Sequence, residues 1–552
     1  MDSMVKTAPG VKTRLRSGAH RHPQSVAILL LLFVALVTSF RKGADINYDL
    51  LNYHFYNGRA LLNGSLWSDV APAGIQTYFN PLFDVPTAIA VGASSSPVVF
   101  LVWSALVQCW CWFATWRLVE EAGNRHLPRS WQVAALLVVV TGSGAWSLSF
   151  TTFNDWLMAS FVCEGLRLLL KANRFTLDDR RADVTRAAFR SGVLFAIAIC
   201  VKFTAAPFVV AAFCIGVIVL NRRRIISWLA GLLAAFALTS GPWMVYLWFR
   251  FGSPVFPWYN GIFQSPSASR LNFKDPRFGF RSPSQVLSFP IDILRGTTLY
   301  SEASYHEWRF LAVLLLAATC AAVSLYRAGR RGQEHVLNMV GRTLNIRSTD
   351  VLLGLFTAVS FGVWVITFGY YRYLLPAEIV ISILTVVLVH RLLQGRVVPL
   401  AGTLLVLIVS FALLFTPSWG RTNRVFRVSV PVVDEGAFIL FADGGPSSYL
   451  AESFPSDARF ASTAAFSHGS NTRLLAVGGP LWRELQEFVA QGQAGDRLYL
   501  LLSSSESELP ILSDLDIRPD PTTCVAIPET LRFISDARLC RTKATPTTAE
   551  GQ

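Results

Sequence analysis

The chain has 552 residues, of which 52% are hydrophobic and only 15% charged, and its mean hydropathy is +0.43. Soluble proteins carry about 25% charged residues, so this composition excludes an ordinary soluble domain and points to a polytopic membrane protein. The net charge of +14 does not indicate nucleic acid. The basic residues gather in short loops between apolar runs, as the positive-inside rule predicts, and there is no basic domain with a recognition motif.

Residues 1–24 form a basic tail, read as cytoplasmic. Ser25–Phe40 is apolar; no small-x-small cleavage site follows, so it reads as an uncleaved first span rather than a signal peptide. A polar, aromatic, acidic loop over residues 41–97 comes next. Further spans are expected at Pro97–Leu118, Trp131–Phe150 and Trp156–Leu170, with a tight outer turn at Thr151–Asp155. Lys171–Arg190 is expected inside. Gly192–Leu220 is too long for one crossing of about 20 residues and is interrupted by Lys202 and Pro207. Arg222, Arg223 and Arg224 also belong inside, so an even number of crossings must separate the two basic stretches. Two short helices with an outer turn near Lys202 satisfy this; one kinked helix does not.

Spans at Trp228–Trp248, Phe310–Tyr326, Val351–Gly369, Leu374–Leu393 and Val398–Phe415 follow. An outer loop covers 250–309, and an outer turn reads Tyr370-Tyr371-Arg372-Tyr373. The total is about eleven transmembrane helices over 25–415, with the N-terminus inside and the C-terminus outside. Residues 416–552 change character. β-like runs such as Phe438–Phe441 and Leu498–Leu501 alternate with a helical pattern at Pro480–Ala490, which predicts a small extracytoplasmic α/β domain. It contains no nucleophile elbow, phosphate loop or zinc motif. Six cysteines lie in apolar runs and read as inert core residues. Cys524 and Cys540 lie in the C-terminal region, where an oxidising compartment would permit a disulfide; sequence does not establish that they meet.

Ionisable groups at the membrane edge are functional candidates, because burying them is costly. Those on the outer side are Asp45, Asp49, His54, Asp69, Asp84, Asp155, Lys202 and Arg372. Each has a structural alternative. Asp49 and Asp155 both stand where a helix N-cap would, Asp69 and Asp84 sit in proline-rich turns, and Lys202 can snorkel. Arg372, between Tyr371 and Tyr373, suits either a phosphate or an interfacial anchor.

The combination resembles the GT-C superfamily of polytopic glycosyltransferases that use polyprenyl-phosphate sugars, which includes the protein O-mannosyltransferases and the lipid A aminoarabinose transferases. The resemblance rests on four features. These are an acid and tyrosines soon after span one, an acid in the second outer turn, Val201-Lys202-Phe203-Thr204 between short helices, and Arg372-Tyr373-Leu374-Leu375-Pro376. It covers roughly Ser25–Phe415. The usual Asp-Glu pair is absent, since Leu50 follows Asp49, and Gly252–Asn260 departs from the aminoarabinose-transferase pattern.

What the resemblance implies is transfer of a sugar from a polyprenyl-phosphate donor to a glycan, lipid or protein acceptor at the outer face of a bacterial inner membrane, with inversion. It implies Asp49 or Asp45 as general base and Asp155 as an orienting acid. Lys202 and Arg372 would neutralise the phosphate, and His54, Tyr53 and Tyr373 would contact substrate. Asp49 and Asp155 leave room for Mg²⁺ or Mn²⁺, although no spacing demands a metal. A flippase or a polymerase of lipid-linked glycans is the alternative. The former predicts inverted repeats and charges deep in the spans, which the sequence lacks.

Overall fold

In a computed structural model of the chain, residues 21–93, 96–123, 127–174, 181–272, 277–330, 347–393, 417–424, 428–442, 445–467, 475–503, 509–528, 531 and 536–544 are described. The expected span Val398–Phe415 and most of the N-terminal tail lie outside these residues.

Among the described residues, six helices are long and apolar enough to cross a membrane: Gln24–Lys42, Val98–Ala122, Ala182–Val201, Arg309–Arg327, Thr349–Thr367 and Tyr371–Leu393. A seventh crossing is formed if Arg222–Thr239 and Gly241–Phe251, bent by 56°, count as one. Of the eleven expected spans one lies outside the described residues, and three others are not such helices, for local reasons. The predicted third span breaks into Arg129–Val140 and Ser143–Leu148. Ala206–Val219 is only 14 residues long. Asp155–Arg174 carries Glu164 and Arg167 in its middle as well as charges at both ends. The expected inside loop Lys171–Arg190 is also shorter than predicted, since one helix runs to Arg174 and the next starts at Arg181.

The chain does break at Lys202, which is extended before a 3₁₀ turn at Phe203–Ala205. Ser227 donates to the Thr185 carbonyl oxygen, and a Cβ at Gly231 would strike that of Phe189. The helices Arg181–Val201 and Arg222–Thr239 therefore run parallel, and Ala206–Val219 must run back between them. This is the even-crossing arrangement that the charges require. Gly192 and Gly231 allow the backbones to touch, because lipid supplies no hydrophobic force to hold helices together and close packing must. Leu375–Leu393 is the central helix, buried along nearly its whole length. Gln24–Lys42 lies at the rim, with Val26, Leu29 and Phe33 exposed.

The strands are β1 (Ala44–Asp45), β2 (Arg421–Thr422), β3 (Phe438–Phe441), β4 (Arg459–Ser462), β5 (Phe466–Ser467), β6 (Leu475–Ala476), β7 (Leu498–Leu502), β8 (Ile517–Pro519), β9 (Val525–Ala526) and β10 (Arg538–Ala544). The main sheet has the order β4-β3-β7-β10-β8, with β9 also on β10. β3 is parallel to β4 and β7, while β10 is antiparallel to its neighbours. The helix Pro480–Ala494 makes the crossover into β7.

Because side chains alternate along a strand, the sheet has two apolar faces. Phe438, Leu440, Leu498 and Leu500 pack on Leu481, Leu485 and Phe488 of the crossover helix. Ile439, Phe441, Tyr499 and Leu501 pack on Ala44, Leu50, Leu51 and Phe55 of the first loop. Each such side chain contributes on the order of 1.5–3 kcal/mol on burial, so the C-terminal domain is fused to that loop rather than tethered near it. Polar contacts fix the register. Val70 N–H donates to the Phe460 carbonyl oxygen at 3.0 Å, Phe460 N–H to Asp69 at 3.0 Å, and Arg59 grips Glu452 with two hydrogen bonds. Cys524 and Cys540 are disulfide-bonded.

Candidate active site

The first loop enters the site through Asn47, not Asp49. The Asn47 side-chain oxygen accepts from Leu50 N–H at 2.8 Å and caps the turn. Asp49 is already helical and makes no cap bond. The N-cap alternative for Asp49 is thereby removed, and its carboxylate is free for other partners. Leu50–His54 then forms a π-helical turn, a rare form that recurs at functional sites. Its wider winding turns Asp49, Tyr53 and His54 towards one cavity.

Three other connections supply the cations and the second acid. Asp155 opens its helix after Asn154, which adopts a left-handed conformation (φ 62°). Lys202 comes from the break between helices. Arg372 comes from the 3₁₀ turn Tyr371–Leu374 ahead of the central helix. The four meet in an alternating chain of charge. Arg372 Nη2 lies 3.1 Å from Asp49 Oδ2, Arg372 Nε lies 3.5 Å from Asp155 Oδ2, and Lys202 Nζ lies 2.8 Å from Asp155 Oδ1. Lys202 also donates to the Phe153 carbonyl oxygen at 2.9 Å. The Arg372 guanidinium lies 3.8 Å from the centre of the Phe153 ring, and Lys202 lies 4.8 Å from that of Tyr373. Arg372 and Asp155 are almost fully buried. Burial alone would raise Asp49; Arg372, Lys202 and His54 together outweigh it and hold the carboxyl below its usual range.

These groups border a cavity of roughly 1000 Å³. Asp49, Tyr53, His54, Lys202, Arg372 and Tyr373 line it, and Asp155 supports Lys202 and Arg372 from behind. Its apolar part runs along Ile199, Phe236, Met244, Leu247 and Phe368, beside the bend between Thr239 and Gly241; Ser447 and Ser462 of the C-terminal domain line another part. Asp45 lies elsewhere. It is fully buried, accepts from Thr152 N–H and Oγ1 at 2.8 Å each and from Asn47, and burial pushes its carboxyl upward. That is a loop-fastening acid. Asp69 is also structural, accepting from Tyr56 at 2.5 Å and from Phe460 N–H.

Two groupings escaped the sequence reading. Asp84, an outer candidate whose structural alternative is a turn, sits 2.6 Å from His54 Nδ1 and also accepts from Asn154 at 3.3 Å. Nothing in the sequence links positions 54 and 84. The second is the pair Glu307 and Glu378. Glu378 was detectable as the lone acid in its apolar run.

A metal was tested against the two acids proposed for it. Asp49 and Asp155 each already face Arg372, and Lys202 fills the remaining side of Asp155. Among the described residues no group of three His, Cys, Asp or Glu side chains could hold an ion. Both carboxylates are engaged by cations, so an ion would have to displace Arg372 or Lys202.

The polar site lies at one end of a bundle of apolar helices, under the first loop and the appended C-terminal domain. The profile of glycosyltransferase family 87 matches residues 78–353, half of the chain, and the protein belongs to that family. Among solved structures the fold is similar to ArnT from Cupriavidus metallidurans. Bound to undecaprenyl phosphate, ArnT matches with a TM-score of 0.55 at 12% identity over 96% of this chain and 100% of that one. In the apo state it matches with 0.53 at 12% identity over 95% and 98%. No curated protein matches the sequence. The protein is an integral membrane glycosyltransferase.

Proposed function

We propose that the enzyme moves a sugar from a polyprenyl-phosphate donor to an acceptor hydroxyl at the outer face of the membrane. The observation that carries this reading is the placement of Arg372 and Lys202 on the wall of a cavity that also holds Asp49 and continues into an apolar channel. The ArnT structure with undecaprenyl phosphate supports the same class of donor. The lipid tail would lie along Phe236, Met244 and Phe368, and the phosphate would meet the two cations.

In the resting site the Asp49 carboxylate occupies Arg372. An arriving phosphate competes for that guanidinium, which binds oxyanions through parallel N–H bonds. Asp49 is then released to accept the proton of the acceptor hydroxyl as it attacks the anomeric carbon. The C–O bond to phosphate breaks on the opposite side, with inversion, and Arg372 and Lys202 stabilise the charge that builds on the leaving phosphate. Asp155 keeps both cations aimed at it. Tyr53, His54 and Tyr373 contact the sugars, and no step passes through a metal.

For orientation, the cluster Arg222–Arg224 and the residues Arg174 and Arg391 sit at the helix ends away from the site and belong inside by the positive-inside rule. The Cys524–Cys540 disulfide suits an oxidising compartment on the site's side. These features support a cytoplasmic N-terminus and an external C-terminal domain in a bacterial inner membrane. The test is transfer from a panel of synthetic polyprenyl-phosphate sugars by the purified enzyme in nanodiscs. Arg372→Ala and Lys202→Ala should raise the donor KM; an unchanged KM in both would remove the phosphate role.

A further inference from the structure

Behind the site lies a buried acid network that the reaction does not use directly. Glu378 is 1% exposed and Glu307 is fully buried. Glu378 Oε1 accepts from Ala145 N–H at 3.0 Å, and its Oε2 accepts from the Tyr371 hydroxyl at 2.6 Å. Glu307 accepts from Ser143 N–H at 2.8 Å and holds Arg309 at 2.8 Å, while Arg309 Nη2 donates to the Val138 carbonyl oxygen at 2.8 Å. The Glu378 carboxylate lies against Gly142 and Gly144, where a Cβ on either residue would collide with it. The break between Val140 and Ser143 in the predicted third span is therefore the place where two acids enter the bundle.

The network has a direction. Tyr371 is the residue before Arg372, and its N–H is held by the Tyr300 carbonyl oxygen at 2.7 Å. Ser143–Leu148 leads within seven residues to Asp155. One carboxylate thus ties the turn that carries the guanidinium to the segment that carries its partner acid. We infer that Glu378, through Tyr371, is a positioning residue that sets Arg372 against Asp155 and so fixes the grip on the donor phosphate. This rests on the phosphate reading above. A buried acid is costly unless every bond it makes is kept, so its partners cannot drift without a penalty, which makes it a stiff ruler between two loops.

The test measures undecaprenyl phosphate affinity of the full chain in nanodiscs for four variants: Arg372→Ala, Tyr371→Phe, Glu378→Gln and the double variant Tyr371→Phe/Arg372→Ala. Tyr371→Phe deletes one hydroxyl and keeps the ring, so it guards against a Glu378→Gln protein that fails to fold. Loss of one charge-assisted bond predicts roughly tenfold weaker binding in Tyr371→Phe and in Glu378→Gln. In the Arg372→Ala background, Tyr371→Phe should have no further effect, because it acts through Arg372. A purely structural role would give lower abundance with unchanged affinity, or equal losses in both backgrounds; either result overturns the inference. If Arg372→Ala itself binds as tightly as the wild type, the phosphate reading falls and the positioning role falls with it.

Discussion

Arg372 and Asp49 stand 323 positions apart in the chain, yet the guanidinium Nη2 lies 3.1 Å from the carboxylate Oδ2, and both line one cavity. The proposed base is therefore held by the proposed phosphate ligand before substrate arrives. The first prediction concerns pH. In the free enzyme Arg372, Lys202 and His54 outweigh burial and hold Asp49 below its usual range, so the acid limb of kcat/KM should lie below that of an ordinary carboxylate. Once phosphate takes Arg372, Asp49 loses a cation and gains an anionic neighbour, and its pKa rises. The acid limb of kcat, which reports the bound complex, should therefore lie at higher pH. Coincident limbs would mean that Arg372 does not change partners.

Asp155 is predicted to act through its neighbours. Asp155→Asn leaves Lys202 and Arg372 without their shared anion. Removing one partner of a buried ion pair costs on the order of 3–5 kcal/mol. Lower yield and a raised donor KM should appear together, whereas an acceptor-binding role would raise the acceptor KM alone. Steady-state kinetics with each substrate varied in turn separates the two.

Chelation should leave the rate unchanged. Arg372 and Lys202 occupy the sides of Asp49 and Asp155 that an ion would need. Activity after EDTA treatment and dialysis, compared with activity after adding back Mg²⁺ or Mn²⁺, is the measurement. Loss and recovery of transfer would contradict this arrangement.

Packing gives a stability prediction. A methyl group at Gly192 would meet the carbonyl oxygen of Trp228. Gly192→Ala should therefore force Arg181–Val201 and Arg222–Thr239 apart at a cost of about 1–3 kcal/mol, typical of overpacking. A lowered unfolding temperature in detergent checks it, and the site residues are untouched.

Much of this was legible in the sequence because membranes impose strong rules. Apolar length located the helices, and arginine placement required the return at Lys202. The same one-sidedness gave eight candidates, the resemblance to GT-C transferases gave Asp49 (or Asp45), Asp155, Lys202 and Arg372 roles among them, and the structure brings Asp49, Asp155, Lys202 and Arg372 together. What sequence could not resolve was local. Asp45 and Asp49 are chemically identical and four residues apart; only the cap at Asn47 and the π turn after it separate a fastening acid from a cavity acid. The pairing of His54 with Asp84 depends on how the first loop folds back, which no periodicity records. The break at Gly142 is invisible to hydropathy, because the acids that cause it, Glu307 and Glu378, come from distant parts of the chain. The union of the first loop with β3 and β7 was hidden for the same reason.

The central claim is that Asp49 takes the acceptor proton. Its most direct test is single-turnover transfer from a polyprenyl-phosphate sugar by Asp49→Asn, beside Asp45→Asn, with undecaprenyl phosphate binding measured on the same preparations. The account predicts that Asp49→Asn binds the lipid phosphate but transfers at least about a hundredfold more slowly, the scale of a lost general base. Asp45→Asn should lose stability rather than rate per folded molecule. Full transfer by Asp49→Asn would contradict the account.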